Sequence, residues 1–386
     1  MIWRRLLVVP LVLLMAGFGV GVYFLWGAHS HGGGHQSQAG KTKPKVARFV
    51  LPGTAVVEQD GNLYRLRNGQ FTELTTSGDW TQPTVTPDHQ HLIAVRRGYN
   101  FSDLYELDLS GNVVQQLTHD ASSNVPQNQW AFYPRVGSDG TLYYTYDQKA
   151  GPGCPNCYAI DFSIYAMAPG WQQGAATRWT NPYNPALENV DNPTTPNQGT
   201  GGSLQAEPLP SGGIIFSRFT ENDQSQILSQ LWLLQQPMTD GTALTSPAQS
   251  CYAPALSPDG TRVAMICTAP NGATTNLVDA PLNGGTLGPE TVVASGPDIA
   301  SPAWSPDGRS VLYLAAVPPS QQFQLYVLAV PSHAAAAAPA ATPTPTPKNR
   351  HGRATPTPAA TPTPVAGPRR LTDTNDFDAT SAPVWF

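Results

Sequence analysis

The sequence predicts an all-β protein: a six-bladed β-propeller closed by its C-terminal strand, with one N-terminal transmembrane helix. Three observations carry this prediction. The tetrapeptide Ser-Pro-Asp-Gly occurs at 257–260 and again at 305–308. Pairs of an aliphatic residue followed by an aromatic one recur along the chain, and the stretch from Leu6 to Trp26 carries no charged residue. Repeated short strands separated by turn residues are typical of propeller blades.

Each tetrapeptide lies in the same frame of proline, small residue, apolar residue and turn. Proline fixes φ at the first corner of the turn, Asp suits the second, and Gly accepts the left-handed conformation that closes a three-residue hairpin loop. Strand a of a blade is therefore expected to end at the Ser, and strand b to begin after the Gly. Weaker copies of the frame occur at 83–88, 134–140, 207–213 and 383–386.

Two further dipeptides predict the outer strands of each blade. Strand c is expected at the pairs Leu63-Tyr64, Leu104-Tyr105, Ile164-Tyr165, Leu231-Trp232 and Leu325-Tyr326. Strand d is expected at Leu74-Thr75, Leu117-Thr118, Leu244-Thr245 and Leu371-Thr372.

The two ends of this array predict how the ring closes. Residues 48–76 contain strands b, c and d, but no proline-led strand a precedes them. Residues 378–386 are a strand a with no strand b after it. Joined together, the two segments complete blade 1 and leave no unpaired sheet edge.

This pattern resembles the TolB-type six-bladed β-propeller family over about residues 48–386, and residues 302–308 match the family's whole Pro-x-Trp-Ser-Pro-Asp-Gly frame. The resemblance implies a periplasmic or cell-surface binding scaffold, or a propeller cap on a serine peptidase. The peptidase alternative requires a hydrolase domain, but no Gly-x-Ser-x-Gly motif occurs and no segment of domain size follows blade 6. We therefore expect a propeller without a peptidase.

The N-terminus is expected to place the propeller outside the cytoplasm. Residues 1–5 form a basic cytoplasmic head, residues 6–27 are long enough to cross a bilayer as a signal anchor, and residues 28–47 form a flexible tether. A cleaved signal peptide is the alternative, although such peptides have a shorter apolar core. His29, His31 and His35 in the tether are either spacer residues or a loose metal chelate, and no Cys or carboxylate completes a site there.

A second low-complexity segment interrupts blade 6. Residues 334–368 are rich in Ala, Pro and Thr, and such sequence favours extended polyproline II over sheet pairing. The segment falls between the predicted strands c and d, so we expect a disordered insertion. A sugar-bearing stalk is the functional alternative.

The four cysteines form two local pairs. Cys154 and Cys157 lie in one loop of blade 3, without the βαβ context of a redox site or the second pair of a zinc ribbon. Cys251 and Cys267 lie opposite each other when residues are counted outward from the turn at 257–260. In an oxidising compartment both pairs are expected to form disulfides.

In a propeller the a–b and c–d turns lie on one face, here named the turn face, and the b–c and d–a connections lie on the other, the loop face. Long polar connections at 120–129, 149–159, 181–202 and 220–229 gather on the loop face, which predicts recognition there. Asp79, Asp298 and Asp378 stand shortly before the strand-a prolines of their blades. We expect them near the channel mouth as ligand contacts or as hydrated channel residues.

Composition and motifs then leave two hypotheses. Only 12% of residues are charged and the formal net charge is −5, which argues against a nucleic-acid partner. No catalytic motif, cofactor or metal site is predicted. The first hypothesis is a membrane-anchored, non-catalytic module that binds a protein, peptide or glycan. The alternative is a metal-dependent hydrolase of lactonase type, whose ion would need oxygen ligands from Asp79, Asp298 and Asp378.

Overall fold

A computed structural model describes residues 43–124, 127–147, 161–180, 201–221, 227–269, 272–330 and 367–386. Within these ranges the regular secondary structure is almost entirely β-strand, with short 3₁₀ turns at Gln173–Ala175 and Pro247–Gln249. None of the described helices is long and apolar enough to cross a membrane. The predicted basic head, the predicted transmembrane helix and most of the tether lie outside the described residues.

The strands form six consecutive units of four main strands, referred to as blades 1 to 6. Short parallel pairings of Ser102 with Trp130 and of Asp161 with Gly201 join blades 2 to 4 into one twelve-stranded sheet. Their strands, in the order a, b, c, d, are β25 (Val384–Trp385), β1 (Thr54–Gln59), β2 (Asn62–Arg67) and β3 (Gln70–Glu73) in blade 1, and β4 (Trp80–Val85), β5 (His91–Arg97), β6 (Ser102–Asp108) and β7 (Val113–Gln116) in blade 2. Blade 3 contains β8 (Trp130–Val136), β9 (Leu142–Asp147), β10 (Asp161–Met167) and β11 (Thr177–Arg178), and blade 4 contains β12 (Gly201–Pro208), β13 (Ile214–Glu221), β14 (Ile227–Leu234) and β15 (Thr242–Ala243).

Blades 5 and 6 complete the series. Blade 5 contains β16 (Cys251–Leu256), β17 (Arg262–Thr268), β18 (Thr275–Asn283) and β20 (Thr291–Gly296), with the short strand β19 (Thr286–Leu287) folded back on β18. Blade 6 contains β21 (Ile299–Trp304), β22 (Ser310–Val317), β23 (Gln322–Ala329) and β24 (Arg369–Arg370).

The C-terminal strand pairs with the first strand of the sequence, as predicted. β25 is antiparallel to β1, with Trp385 opposite Ala55 and Val384 opposite Val56. The indole N–H of Trp385 donates to the carbonyl of Pro52 at 2.7 Å. One buried apolar cluster joins blade 6 to blade 1, and five others join the successive blades from 1 to 6. The core is therefore a set of interfaces between neighbouring sheets.

The Ser-Pro-Asp-Gly segments adopt the predicted turn. In blade 5 the N–H of Gly260 donates to the carbonyl of Ser257 at 2.8 Å, and Gly260 has a φ of 71°. The hydroxyl of Ser257 donates to Asp259 at 2.6 Å and accepts the N–H of Arg262 at 2.9 Å. Blade 6 repeats these contacts at Ser305, Asp307 and Gly308. Ser and Asp are therefore needed because their side chains complete the hairpin.

The Leu-Thr dipeptides do not form strand d but follow it directly. The leucine N–H donates to a strand-c carbonyl, as from Leu244 to Leu231 at 2.8 Å. The N–H of that same strand-c residue donates to the threonine hydroxyl, as from Leu231 to Thr245 at 2.9 Å. The threonine hydroxyl thus replaces a backbone carbonyl and extends the ladder by one bond. The same pair of bonds recurs at Thr75, Thr118, Thr180 and Thr372.

Blade 4 differs from its predicted register. In blades 2, 3, 5 and 6 the frame proline is the second residue of a β-bulge in strand a. In blade 4 that bulge lies between Leu204 and Glu207, so Ala206 takes the place of the proline and Pro208 falls two residues later. The repeat frame is weak in blade 4 because the bulge carries Ala206 in place of a proline.

Of the two predicted disulfides, the one between Cys251 and Cys267 is confirmed. The two residues are paired across β16 and β17, and their sulfur atoms are bonded at 2.08 Å. Cys154, Cys157 and the bulk of the Ala/Pro/Thr-rich insertion lie outside the described residues. The strands on either side of that insertion, β23 and β24, pair with each other as strands c and d.

Candidate functional site

Asp79, the first predicted ligand contact, is held by an arginine. Its Oδ2 atom lies 2.8 Å from Nε of Arg96, and its Oδ1 atom accepts a hydrogen bond from Ser77. The same guanidinium lies over the ring of Trp80, 5.4 Å from its centroid. Asp79 is therefore neutralised by a neighbour on its own blade, which lowers its value as a ligand for a bound cation.

Asp298 and Asp378 occupy two different environments. The backbone carbonyl of Asp298 accepts the N–H of Ala316 at 2.9 Å, and burial raises the pKa of its side chain. The side chain of Asp378 accepts the N–H and the hydroxyl of Thr380 at 2.8 and 2.7 Å, which closes the turn before β25. Among the residues that the structure describes, no group of three His, Cys, Asp or Glu side chains converges to hold a metal ion. The structure therefore does not bring the three aspartates together as one metal site.

Sequence reasoning did not identify Glu58, the buried partner of Asp378. Glu58 lies at the end of β1 with only 4% of its surface exposed. Its Oε1 atom accepts the N–H of Gly61 at 2.6 Å. Burial raises its pKa well above the usual range, and the adjacent carboxyl of Asp378 raises it further. The only available signal was a glutamate inside an apolar strand, Ala55 to Gln59.

The axis of the structure is lined by the β-bulges of strand a. The first bulge residue has a positive φ in five blades, at Gln82, Tyr133, Gln205, Ala253 and Ser301. Side chains of one blade accept backbone N–H groups of the next: Gln82 accepts from Tyr133 at 2.8 Å, and Gln205 accepts from Ala253 at 3.1 Å. The cavity left among these residues is about 10 Å³. It is large enough for about one water molecule, so this part of the axis is not a substrate pocket.

A second carboxylate pair lies on the loop face between blades 2 and 3. The N–H of Asp120 donates to Asp103 at 2.7 Å. Asp120 accepts hydrogen bonds from the hydroxyl of Tyr146 and the amide of Gln173, both at 2.8 Å. Burial is the main cause that raises the pKa of Asp120 to about 6. The hydrogen bonds from Tyr146 and Gln173 favour the charged form of Asp120, whereas burial and the neighbouring carboxylate of Asp103 disfavour it.

Four aromatic rings form a row on the loop face, across blades 3 and 4. Trp130 is stacked on Phe132 with centroids 5.6 Å apart, Phe132 meets Phe162 edge-on at 6.1 Å, and Phe162 meets Phe219 edge-on at 6.3 Å. Trp130, Phe132 and Phe219 are only partly buried. This row, named the aromatic row, was not predicted, because its members come from three strands of two blades.

Tyr99 is the most exposed large apolar side chain on the loop face. It lies in the connection between β5 and β6 and is 99% exposed. The adjacent Gly98 packs against the ring of Phe101, which leaves no room for a side chain there. A tyrosine fully exposed in this connection is a side chain available for contact with a partner.

Comparisons with known proteins identify the fold. No protein-family model matches the chain, and no curated protein matches it either. Among solved structures, TolB from Acinetobacter baumannii superposes with a TM-score of 0.53 and is 17% identical; the match covers 86% of this chain and 65% of TolB.

Two further structures are similar at lower TM-scores. A putative TolB from Agrobacterium tumefaciens is 17% identical, with a TM-score of 0.47 and coverage of 68% of this chain and 86% of that one. A puromycin-hydrolyzing peptidase from Mycobacterium tuberculosis is 14% identical, with a TM-score of 0.45 and coverage of 74% and 45%. At these identities the likeness concerns the fold alone. The chain therefore has a TolB-like β-propeller fold.

Proposed function

We propose that this chain is a closed six-bladed propeller, anchored to the membrane by residues 6–27, which binds a protein, peptide or glycan through its loop face and catalyses no reaction. The aromatic row is the observation that carries this proposal. Its rings are held in place by β-strands, so a partner that stacks on them does not have to order them first. Aromatic side chains are enriched where proteins bind partners.

The small size of the cavity among the strand-a bulges supports binding across the loop face. A cavity of about 10 Å³ between the strand-a bulges cannot hold a substrate. Contacts are therefore expected with groups that lie on the surface, such as Tyr99 and the aromatic row. The predicted tether ends at residue 47 on the turn face, where the N–H of Ala47 donates to the carbonyl of Gly69 in the c–d turn of blade 1. The partner is therefore expected to approach the opposite, loop face, on the side away from the membrane.

Site-specific photo-cross-linking in intact cells tests the proposal. A photoreactive amino acid is placed at Tyr99 on the loop face, and the matched control carries it at Asp240, which is exposed in the turn between β14 and β15 on the turn face. We expect a discrete cross-linked product from position 99 only. Equal products from both positions, or none from position 99, would contradict a partner on the loop face.

Protease added to the same intact cells tests the location. Digestion should remove the propeller and leave a membrane-bound N-terminal fragment. A soluble full-length propeller with a new N-terminus near residue 30 would instead establish a cleaved signal peptide.

A further inference from the structure

Arg218 is a half-buried cation without a counter-ion among the residues that the structure describes. It lies on β13, and its guanidinium is 4.5 Å from the ring centroid of Trp232 and 5.5 Å from that of Phe216. Burial lowers its pKa. An arginine nevertheless remains charged at neutral pH. Among the residues that the structure describes, no hydrogen bond or ion pair to this guanidinium is formed.

The two other arginines that stack on tryptophan in the described residues each pair with a carboxylate, and Arg218 does not. Arg96 lies over Trp80 and pairs with Asp79. Arg262 lies over Trp304 and pairs with the buried Asp279. Each of these stacks combines a cation, an indole ring and a carboxylate. The stack of Arg218 on Trp232 has the first two components and lacks the third.

Two more polar side chains on the same face of blade 4 have no hydrogen-bond partner within the described part of the chain. Ser203 is directly opposite Arg218 in the pairing of β12 with β13, and Trp232 is opposite Phe216 in the pairing of β13 with β14. Paired residues, and residues two apart on one strand, share a face of the sheet. The hydroxyl of Ser203 and the indole N–H of Trp232 are buried without a hydrogen bond. Unpaired buried polar groups cost free energy and call for an explanation, such as a missing ligand.

We infer that Arg218, Trp232 and Ser203 form a carboxylate-binding site of the proposed partner-binding face. All three can donate a hydrogen bond, which suits an anion. Arg218 lies three residues before β13 ends on the loop face, and its guanidinium lies against the rings of Trp232 and Phe216. The ligand is therefore a carboxylate attached to an apolar or aromatic group, such as the C-terminal residue of a peptide. A polyanion is disfavoured by the formal net charge of −5.

Titration of small probes into the full-length protein tests the site without knowledge of the partner. The probes are benzoate, its neutral isostere benzamide, and inorganic phosphate, at constant ionic strength. The readout is the indole N–H resonance of Trp232, assigned with Trp232→Phe. Benzoate should shift this resonance saturably, and benzamide and phosphate should bind at least about tenfold more weakly, as expected when a charge-assisted hydrogen bond is lost.

Two variants test whether benzoate binds at Arg218. Arg218→Gln should weaken benzoate binding about tenfold or more. The matched control, Arg369→Gln, removes the same charge from an arginine stacked on Phe49 at 4.0 Å and should leave binding unchanged. Should Arg218→Gln fail to fold, the three probes on the unmodified protein decide the question alone.

Three results would overturn the inference: no saturable shift with benzoate, benzoate binding unaffected by Arg218→Gln, or phosphate binding as tightly as benzoate. This inference rests on the proposed function, but different results would reject the carboxylate site and the proposed partner face. Cross-linking at position 99 without benzoate binding rejects only the carboxylate site. Benzoate binding without cross-linking retains the site and rejects the proposed partner face.

Discussion

Replacing Thr245 by valine should destabilise blade 4 through a single hydrogen bond. Valine has nearly the same shape as threonine but cannot accept the N–H of Leu231, which Thr245 accepts at 2.9 Å. Leu231 is 0% exposed and Thr245 is 6% exposed, so water cannot replace the lost acceptor. A buried donor without a partner costs about 1–3 kcal/mol. We expect Thr245→Val to reduce the free energy of unfolding by that amount.

The same blade provides a matched control three residues earlier. Thr242 is exposed on β15, so Thr242→Val should change the free energy of unfolding by less than about 0.5 kcal/mol. Urea denaturation followed by tryptophan fluorescence measures both variants, and hydrogen exchange of the Leu231 amide reports the local effect. If Thr245→Val were no more destabilising than Thr242→Val, the threonine hydroxyl would not be the acceptor that closes the blade.

Three further predictions concern the acidic pair, the disulfide and the ring closure. Because the pKa of Asp120 is raised to about 6, its contribution to stability is fully present below the unfolded pKa near 3.8 and is lost as the pH rises through 6. Asp120→Asn should therefore gain up to about 2–3 kcal/mol relative to the unmodified protein between pH 4 and pH 7; a difference that does not change with pH would refute this. Replacing Cys251 and Cys267 by serine should cost about 2–4 kcal/mol, and denaturation curves that match those of the oxidised parent would contradict it. Deleting 378–386 removes β25 and exposes the edge of β1, so light scattering should detect aggregation, whereas a monomer that melts at the parent temperature would show that closure does not need this strand.

The turns and the closure could be predicted because their causes are local in sequence. Ser257, Asp259 and Gly260 act within a few residues of one another, so the tetrapeptide alone indicates the hairpin. Closure was predictable because the first repeat lacks strand a and the last segment supplies one. Cys251 and Cys267 could be paired by counting outward from that hairpin.

Other features depend on contacts between blades, which no repeat pattern encodes. Glu58 meets Asp378 across more than three hundred residues of sequence, and the aromatic row combines side chains from β8, β10 and β13. The sequence indicated the Leu-Thr dipeptide but not its role, since the threonine hydroxyl acts only when strand c lies beside it.

By itself the sequence determined that this chain is built from β-repeats whose strands a and b are connected by Ser-Pro-Asp-Gly-like turns, because turn conformation follows from the residues within the turn. Only the tertiary structure decided which side chains share an environment: Asp79 with Arg96, Asp120 with Tyr146, and Arg218 with Trp232 and no carboxylate. The physical reason is that charge pairing and burial depend on distances between strands, and those distances are set when the blades pack against one another.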